Sequence, residues 1–252
     1  DNNIQHGVLL KFGQKEHLET LLNGQLYLKS IRHFKENGQD SIGRYDKNEN
    51  LTDVWRQPHF KGKLLFDNIE IATIGNMNIY IPEHDKDLFT HISSFCLPDI
   101  NFNKRGINKL IDSRMQGFGD YVLLIHNVPK FQKLVIDASY KHPEISKTTM
   151  NKVNYVDKEN FHGSVNIFSK FNDFDWQQEY RIAIRNLEKF EEDHLFLNIG
   201  DISDIAILLK TEDLGFEYYL TIESNVNIYL GTKSVNQYRK MPIQSVSYTH
   251  LR

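Results

Sequence analysis

The stretch Trp176-Gln177-Gln178-Glu179-Tyr180-Arg181 places a carboxamide two residues before a carboxylate, just after the aromatic residues Phe174 and Trp176. Tyr180 to Arg185 reads as a strand. A carboxylate fixed where a loop enters a strand can face a ligand. Residues i and i+2 of a strand share a face, so an extended backbone that begins early enough aims Gln177 and Glu179 at one bound molecule. The plainer alternative is a strand end whose acid pairs with Arg181 or Arg185, a common and weak surface arrangement.

The elements around this stretch follow from hydrophobic period and turn residues. Gly7 to Phe12 is a short apolar run, expected as the first strand. Leu18, Leu21 and Leu22 recur at helical spacing within Gln14 to Asn23, and Gly24 fits the position just past a helix end. Gln25 to Lys29 alternates with period two and predicts a second strand. Ser30 is placed to cap a short helix carrying Ile31 and Phe34. Residues 37–62 are polar and read as a long loop. Strands are expected at 63–66, 70–74, 78–81 and 88–97, then a helix over 103–115. Tyr121–Ile125 reads as a buried strand. Asn127 and Pro129 open a helix with Phe131, Leu134 and Val135 on one face, and 139–151 reads as a polar connection. Further strands are expected at 153–156, 164–168, 180–184, 195–199, 205–209 and 226–230. About ten strands and four helices, with no sustained βαβ alternation, predict an α+β fold of mainly antiparallel sheets. No linker divides it, so residues 1–245 are expected to form one domain. The residues from Val246 to Arg252 read as a non-native tail, and a first residue of Asp leaves the native N-terminus open.

Composition narrows the function classes. Of 252 residues, 30 are basic and 33 acidic, so no global positive field announces nucleic acid. The single cysteine, Cys96, excludes an internal disulfide and a cysteine-based zinc cluster and suits a reducing, cytoplasmic setting. No apolar run is long enough for a membrane helix, so no membrane partner is expected. The eleven histidines form no metal-ligand spacing, and neither phosphate-loop glycine signature occurs. No metal site is expected.

Several other residues have chemistry to offer. Ser93 and Ser94 lie in the strand-like Thr90–Cys96 and must face opposite sides. If the core lies on the Ile92/Ser94 side, Ser93 shares the other side with His91 and Phe95. Tyr27, Phe34, Tyr45 and Trp55 read as core packing or as a stacking surface for a flat cationic ring. Asp40, Asp46, Glu49 and Asp53 read as a solvated acidic loop, or as Mg²⁺ ligands of a nuclease or phosphoesterase.

Two resemblances follow from these residues. Trp176-Gln177-Gln178-Glu179 resembles the turn that carries the catalytic glutamate of mono-ADP-ribosyltransferases. Ile92-Ser93-Ser94-Phe95 resembles their Ser-Thr-Ser strand, with the middle threonine absent. Their first strand presents an Arg or His to NAD, where this chain offers His6 and Lys11. More broadly, Leu9–Phe12, Gly24–Ser30 with Phe34, Phe168–Lys170 and Trp176–Arg181 resemble an uncharacterised family of bacterial and phage proteins found in defence and toxin settings. The resemblance implies a transferase-like fold with NAD as substrate, and nucleic acid or protein as acceptor. A defence-operon partner or an antitoxin would accompany it. It assigns Glu179 to the ribose 2′-hydroxyl and Gln177 to the attacking group. Ser93 would brace Glu179 or the ribose. Tyr27 and Phe34 would flank the nicotinamide, Lys11 or His6 would sit near the pyrophosphate or adenosine ribose, and Trp176 or Phe174 would line the acceptor side. The alternative it leaves is a non-catalytic binding or sensing domain of the same fold.

Overall fold

The computed structural model describes residues 7–36, 46, 48, 51–56, 62–74, 79–82, 89–100, 106–187, 192–215, 217–222, 226–232 and 235–241. His6, Asp40, Tyr45, Glu49 and the 246–252 tail lie outside the described residues.

The chain opens with β1 (Leu9–Gly13), α1 (Lys15–Leu22), β2 (Gln25–Ser30) and α2 (Ile31–Glu36). This matches the expected order, and the two turn residues act as their types dictate. The Ser30 hydroxyl accepts from the His33 N–H at 3.3 Å, and Gly24 takes a positive φ of 97° just after α1. Gly24 also has no room for a side chain, because a Cβ there would lie 2.3 Å from the Gly200 carbonyl carbon. Gly24→Ala is therefore expected to destabilise the fold by about 2–3 kcal/mol, read as a lower urea midpoint.

Next come β3 (Leu51–Trp55), the hairpin strands β4 (Gly62–Phe66) and β5 (Ile69–Ile74), β6 (Ile79–Pro82), β7 (Thr90–Cys96) and β8 (Gly106–Lys109). Two expectations fail here. The polar stretch 37–62 contains β3, whose buried Val54 packs with Val156 and Phe171. The helix expected over 103–115 is instead β8, followed by a 3-10 turn at Ser113–Phe118. Gly106 begins the strand, and Asp112 caps the turn by accepting from the Arg114 N–H.

The remainder holds β9 (Tyr121–Ile125), α3 (Val128–Lys141), β10 (Ile145–Lys152), β11 (Asn154–Val156), β12 (Gly163–Ser164) and β13 (Ser169–Phe171). After these come β14 (Glu179–Asn186), β15 (His194–Asn198), β16 (Ala206–Lys210), β17 (Glu217–Ile222), β18 (Val226–Thr232) and β19 (Val235–Met241). Asn127 caps α3, its side chain accepting from the Lys130 N–H. The polar 139–151 is no mere connection: α3 runs to Lys141, and β10 pairs with β14 along Ile145–Lys152.

The fold is α+β with mainly antiparallel sheets; among the described pairings only β11 and β13 run parallel. The large sheet runs β10-β14-β7-β1-β9-β16. Both its faces are covered, which explains the unbroken apolar run in β9. Leu123 and Ile125 face a core shared with Leu18, Phe131 and Val135 of the helices. Val122 and Leu124 face a second core with Leu10, Leu110 and Met115. Burial of one such side chain contributes about 1.5–3 kcal/mol.

One feature of the topology makes room for a site. Strand β7 pairs with β1 at Leu10–Cys96 and with β2 at Lys29–Ile92 and Ser30–His91. The two neighbours thus share one edge of β7 and part at Ser93–Phe95. The pair β2–β15 leaves the sheet at that fork.

Candidate functional site

A cavity of about 400 Å³ opens at the fork. Lys11, Tyr27, Phe34, Ser93, Gln177 and Glu179 all line it. Six residues singled out from the sequence, spread over 169 positions from Lys11 to Glu179, therefore meet at one place. The volume falls in the range of small-molecule sites, about 300–1,000 Å³.

Gln177 and Glu179 converge, but not through a shared strand face. Gln177 ends a 3-10 turn (Asn172–Gln177), Gln178 sits in the left-handed region at φ 46°, ψ 48°, and only Glu179 begins β14. The kink at Gln178 turns both side chains onto the Lys170 ammonium, which donates to Gln177 Oε1 and Glu179 Oε2, each at 3.0 Å. A non-glycine residue there costs about 1–2 kcal/mol. The surrounding hydrogen bonds hold it: Gln178 N–H to the Asp175 carbonyl, and Leu97 N–H to the Gln178 carbonyl.

Glu179 is buried, and its carboxylate is fully engaged. The Arg181 Nε–H donates to Oε1 at 2.6 Å and its Nη2 to Oε2 at 3.4 Å. The Ser94 hydroxyl also donates to Oε1. The Glu179 N–H donates to the Tyr155 hydroxyl at 2.9 Å. Burial alone would push this carboxyl up, but the Arg181 and Lys170 charges beside it win and hold it well below the usual carboxylate range. The pairing with Arg181 is the plainer arrangement the sequence allowed; it is a buried pair rather than a surface one, with Arg181 1% exposed.

The two serines divide their work differently from the expectation. Ser94 shares the sheet face of Glu179 and Arg181 and holds the carboxylate. Ser93, on the other face, accepts from Lys11 Nζ at 3.1 Å. The same ammonium donates to the Ser94 carbonyl at 2.7 Å and lies 4.9 Å from the Phe95 ring centroid. Lys11 thus fills the gap where β1 and β2 part. Burial pushes its pKa down to about 8, while the Glu179 carboxylate pulls the other way.

Trp176 is not brought to the cavity wall. It packs edge-on to Phe118 at 5.8 Å, with the Arg114 guanidinium over its ring at 4.4 Å. Phe174 lies under the Lys170 ammonium at 4.8 Å. Phe34 packs toward Ile31, Ile92 and Ala183 while still reaching the cavity. Trp55 stands against His162, outside the cavity lining. Cys96 is buried, and burial, with the Glu179 charge adding to it, pushes its thiol well up, which makes it a poor nucleophile. His91 is a satisfied core histidine, 2.7 Å from the Glu192 carbonyl and 2.8 Å from Asn186 Nδ2.

Of the acidic residues weighed as metal ligands, Asp46 is buried and accepts from the Asn48 N–H, and Asp53 accepts from the Ser164 hydroxyl. Among the described residues no three His, Cys, Asp or Glu side chains gather as a metal site. No described helix is long and apolar enough to cross a membrane.

Sequence reasoning did not assign Lys170, Ser94, Lys29 or His17 a role, yet all four line the cavity. β13 (Ser169–Phe171) runs directly into the Asn172–Gln177 turn, which folds Lys170 back onto Gln177 and Glu179, seven and nine residues further along the chain. Comparison with protein-family models, curated proteins and solved structures gave no match.

Proposed function

We propose that this protein is an NAD-consuming mono-ADP-ribosyltransferase, working in the cytoplasm as a bacterial toxin or anti-phage effector. The observation that carries the reading is the position of Glu179. It is an ionised carboxylate lining the cavity at the fork, with Gln177 beside it and Tyr27 and Phe34 also in the lining. In this reading the bond from ribose C1′ to the nicotinamide nitrogen breaks, and its electron pair leaves with nicotinamide. The sugar passes through an oxocarbenium-like transition state. Glu179 accepts from the ribose 2′-hydroxyl in place of the Ser94 hydroxyl and stabilises the charge growing on the ring. Gln177 orients the attacking group. Lys11 attracts the pyrophosphate.

The test is nicotinamide release from NAD by the purified protein, with RNA, single-stranded DNA or cell lysate supplied as acceptor. Release that follows the folded protein supports transfer or hydrolysis; absence of both release and NAD binding removes the reading.

A pH dependence follows from Lys11. Its ammonium is present below about 8 and is lost as pH rises through that value. NAD affinity, measured by calorimetry, is expected to fall across that range, and Lys11→Met is expected to flatten the profile. A profile unchanged by Lys11→Met removes Lys11 from the phosphate role.

A second reading has its own support. Both oxygens of Glu179 already have partners in Arg181, Lys170 and Ser94. A carboxylate satisfied in this way suits a binding or sensing domain that holds its ligand without cleaving it. NAD binding with no nicotinamide release would favour it.

A further inference from the structure

Strands β2 and β15 pair in register, and alternation fixes which side chains leave the core. Leu26, Leu28, Leu195 and Leu197 are buried. On the other face the register sets Lys29 opposite His194, Tyr27 opposite Phe196 and Gln25 opposite Asn198. The centre of this face is aromatic. The Tyr27 and Phe196 rings lie 5.2 Å apart, and His194 stacks on Tyr27 at 6.0 Å with 27° between planes. Tyr27 is 42% exposed and Phe196 50%. The face is continuous with the cavity, because Tyr27 and Lys29 belong to both.

Charge on the cavity side is positive. Lys11, Lys29 and Lys170 line it against one carboxylate, Glu179. The nearby Asp193 is directed elsewhere: its carboxylate accepts from the Ser30 hydroxyl at 3.4 Å, one residue on from Lys29 and so on the opposite strand face. A protein-docking core is depleted of lysine and mostly apolar. An exposed aromatic pair, its rings tilted by 55° to each other, between a lysine and two carboxamides instead has the parts that unstacked bases require: rings to stack on, amides for base edges, and an ammonium for phosphate. Bases paired in a duplex cannot lie flat on such a face.

We infer that the outer face of β2 and β15, centred on Tyr27 and Phe196, binds single-stranded nucleic acid and delivers a nucleotide to the cavity as acceptor. The acceptor role rests on the transferase reading; the binding surface does not. In the transfer a nucleophilic atom of the nucleotide bonds to ribose C1′ as nicotinamide leaves with the electron pair. The acceptor proton passes to water.

The test is fluorescence anisotropy of labelled oligo-dT and oligo-U, with a duplex of equal length for comparison and no NAD present. Both single strands are expected to bind, more tightly than the duplex. Phe196→Ala is expected to weaken binding about tenfold, with its fold checked by thermal melting. Lys29→Ala is expected to reduce the salt dependence by about one phosphate contact. Phe196→Ala is expected to leave nicotinamide release to water at the parent's rate. No single-strand binding at low salt, or equal binding by the folded Phe196→Ala protein, overturns the inference. Label from NAD appearing on protein rather than on nucleic acid overturns the acceptor assignment. Oligonucleotide binding that needs Phe196, without NAD cleavage, supports the surface and removes the transferase reading. NAD cleavage without oligonucleotide binding does the reverse.

Discussion

Glu179→Gln is expected to lower NAD turnover by about 10²–10³-fold, the loss typical of removing one preorganised charge from a transition state. The sequence alone suggests a variant that folds normally, since Gln keeps the shape of Glu. The buried geometry changes that expectation. Arg181 and Lys170 both donate to this carboxylate, and a neutral amide leaves two buried cations without their counter-charge. Removing one partner of a buried pair costs about 3–5 kcal/mol. Activity must therefore be compared at equal folded fraction, fixed by circular dichroism at a temperature where both proteins are native. A purely structural role predicts a rate that tracks the folded fraction. The catalytic role predicts a lost rate in folded protein. Ser94→Ala separates the two further: it removes a donor to Oε1 while leaving the carboxylate charge in place, so most of the turnover should persist. A folded Glu179→Gln protein that works at the parent's rate removes Glu179 from the chemistry.

What the sequence showed and what it hid have physical causes. Elements with local signals were legible: the alternation of β2, the glycine after α1, the Asn-x-Pro opening of α3. The α+β class followed from them. The errors fall where the pattern is set by distant neighbours. Strand β8 looked helical because its residues carry no period of their own; it is a strand because Glu217–Leu220 of β17 pairs with it. The convergence of Gln177 and Glu179 was legible, but its cause was not. It depends on the left-handed Gln178, which no glycine or asparagine announced. The choice between Ser93 and Ser94 needed the register of β7 against β14, in which Ser94 faces Arg181 and Ser93 faces Ile182. The ammonium of Lys170 lies only seven and nine residues before its two partners, but the 3-10 turn and the left-handed Gln178 that fold it onto them carry no periodic signal.

Arg181→Met tests whether the buried charge cluster holds this end of the sheet together. Arg181 is 1% exposed, and its guanidinium is held by fixed acceptors. It reaches both Glu179 oxygens and the Ile167 carbonyl. Methionine keeps the length and the apolar stem but leaves Glu179 buried with less positive charge, and leaves the Ile167 carbonyl without this donor. The expected loss is about 3–5 kcal/mol, or a Tm lower by roughly 6–20 °C for a chain of this size. The pH dependence has a definite sign. The Glu179 carboxyl is held low in the folded protein, so its contribution is present above the ordinary carboxylate pKa and is lost as pH falls through the folded value. The gap in Tm between parent and variant should be full at neutral pH and should narrow in strong acid. Adding Glu179→Gln to Arg181→Met should cost less than the two single losses together, because a neutral amide no longer needs the guanidinium. Simple additivity, or a Tm equal to the parent's, would mean that Arg181 and Glu179 are neighbours without being coupled. The site's carboxylate would then be free to serve a ligand at no expense to the fold.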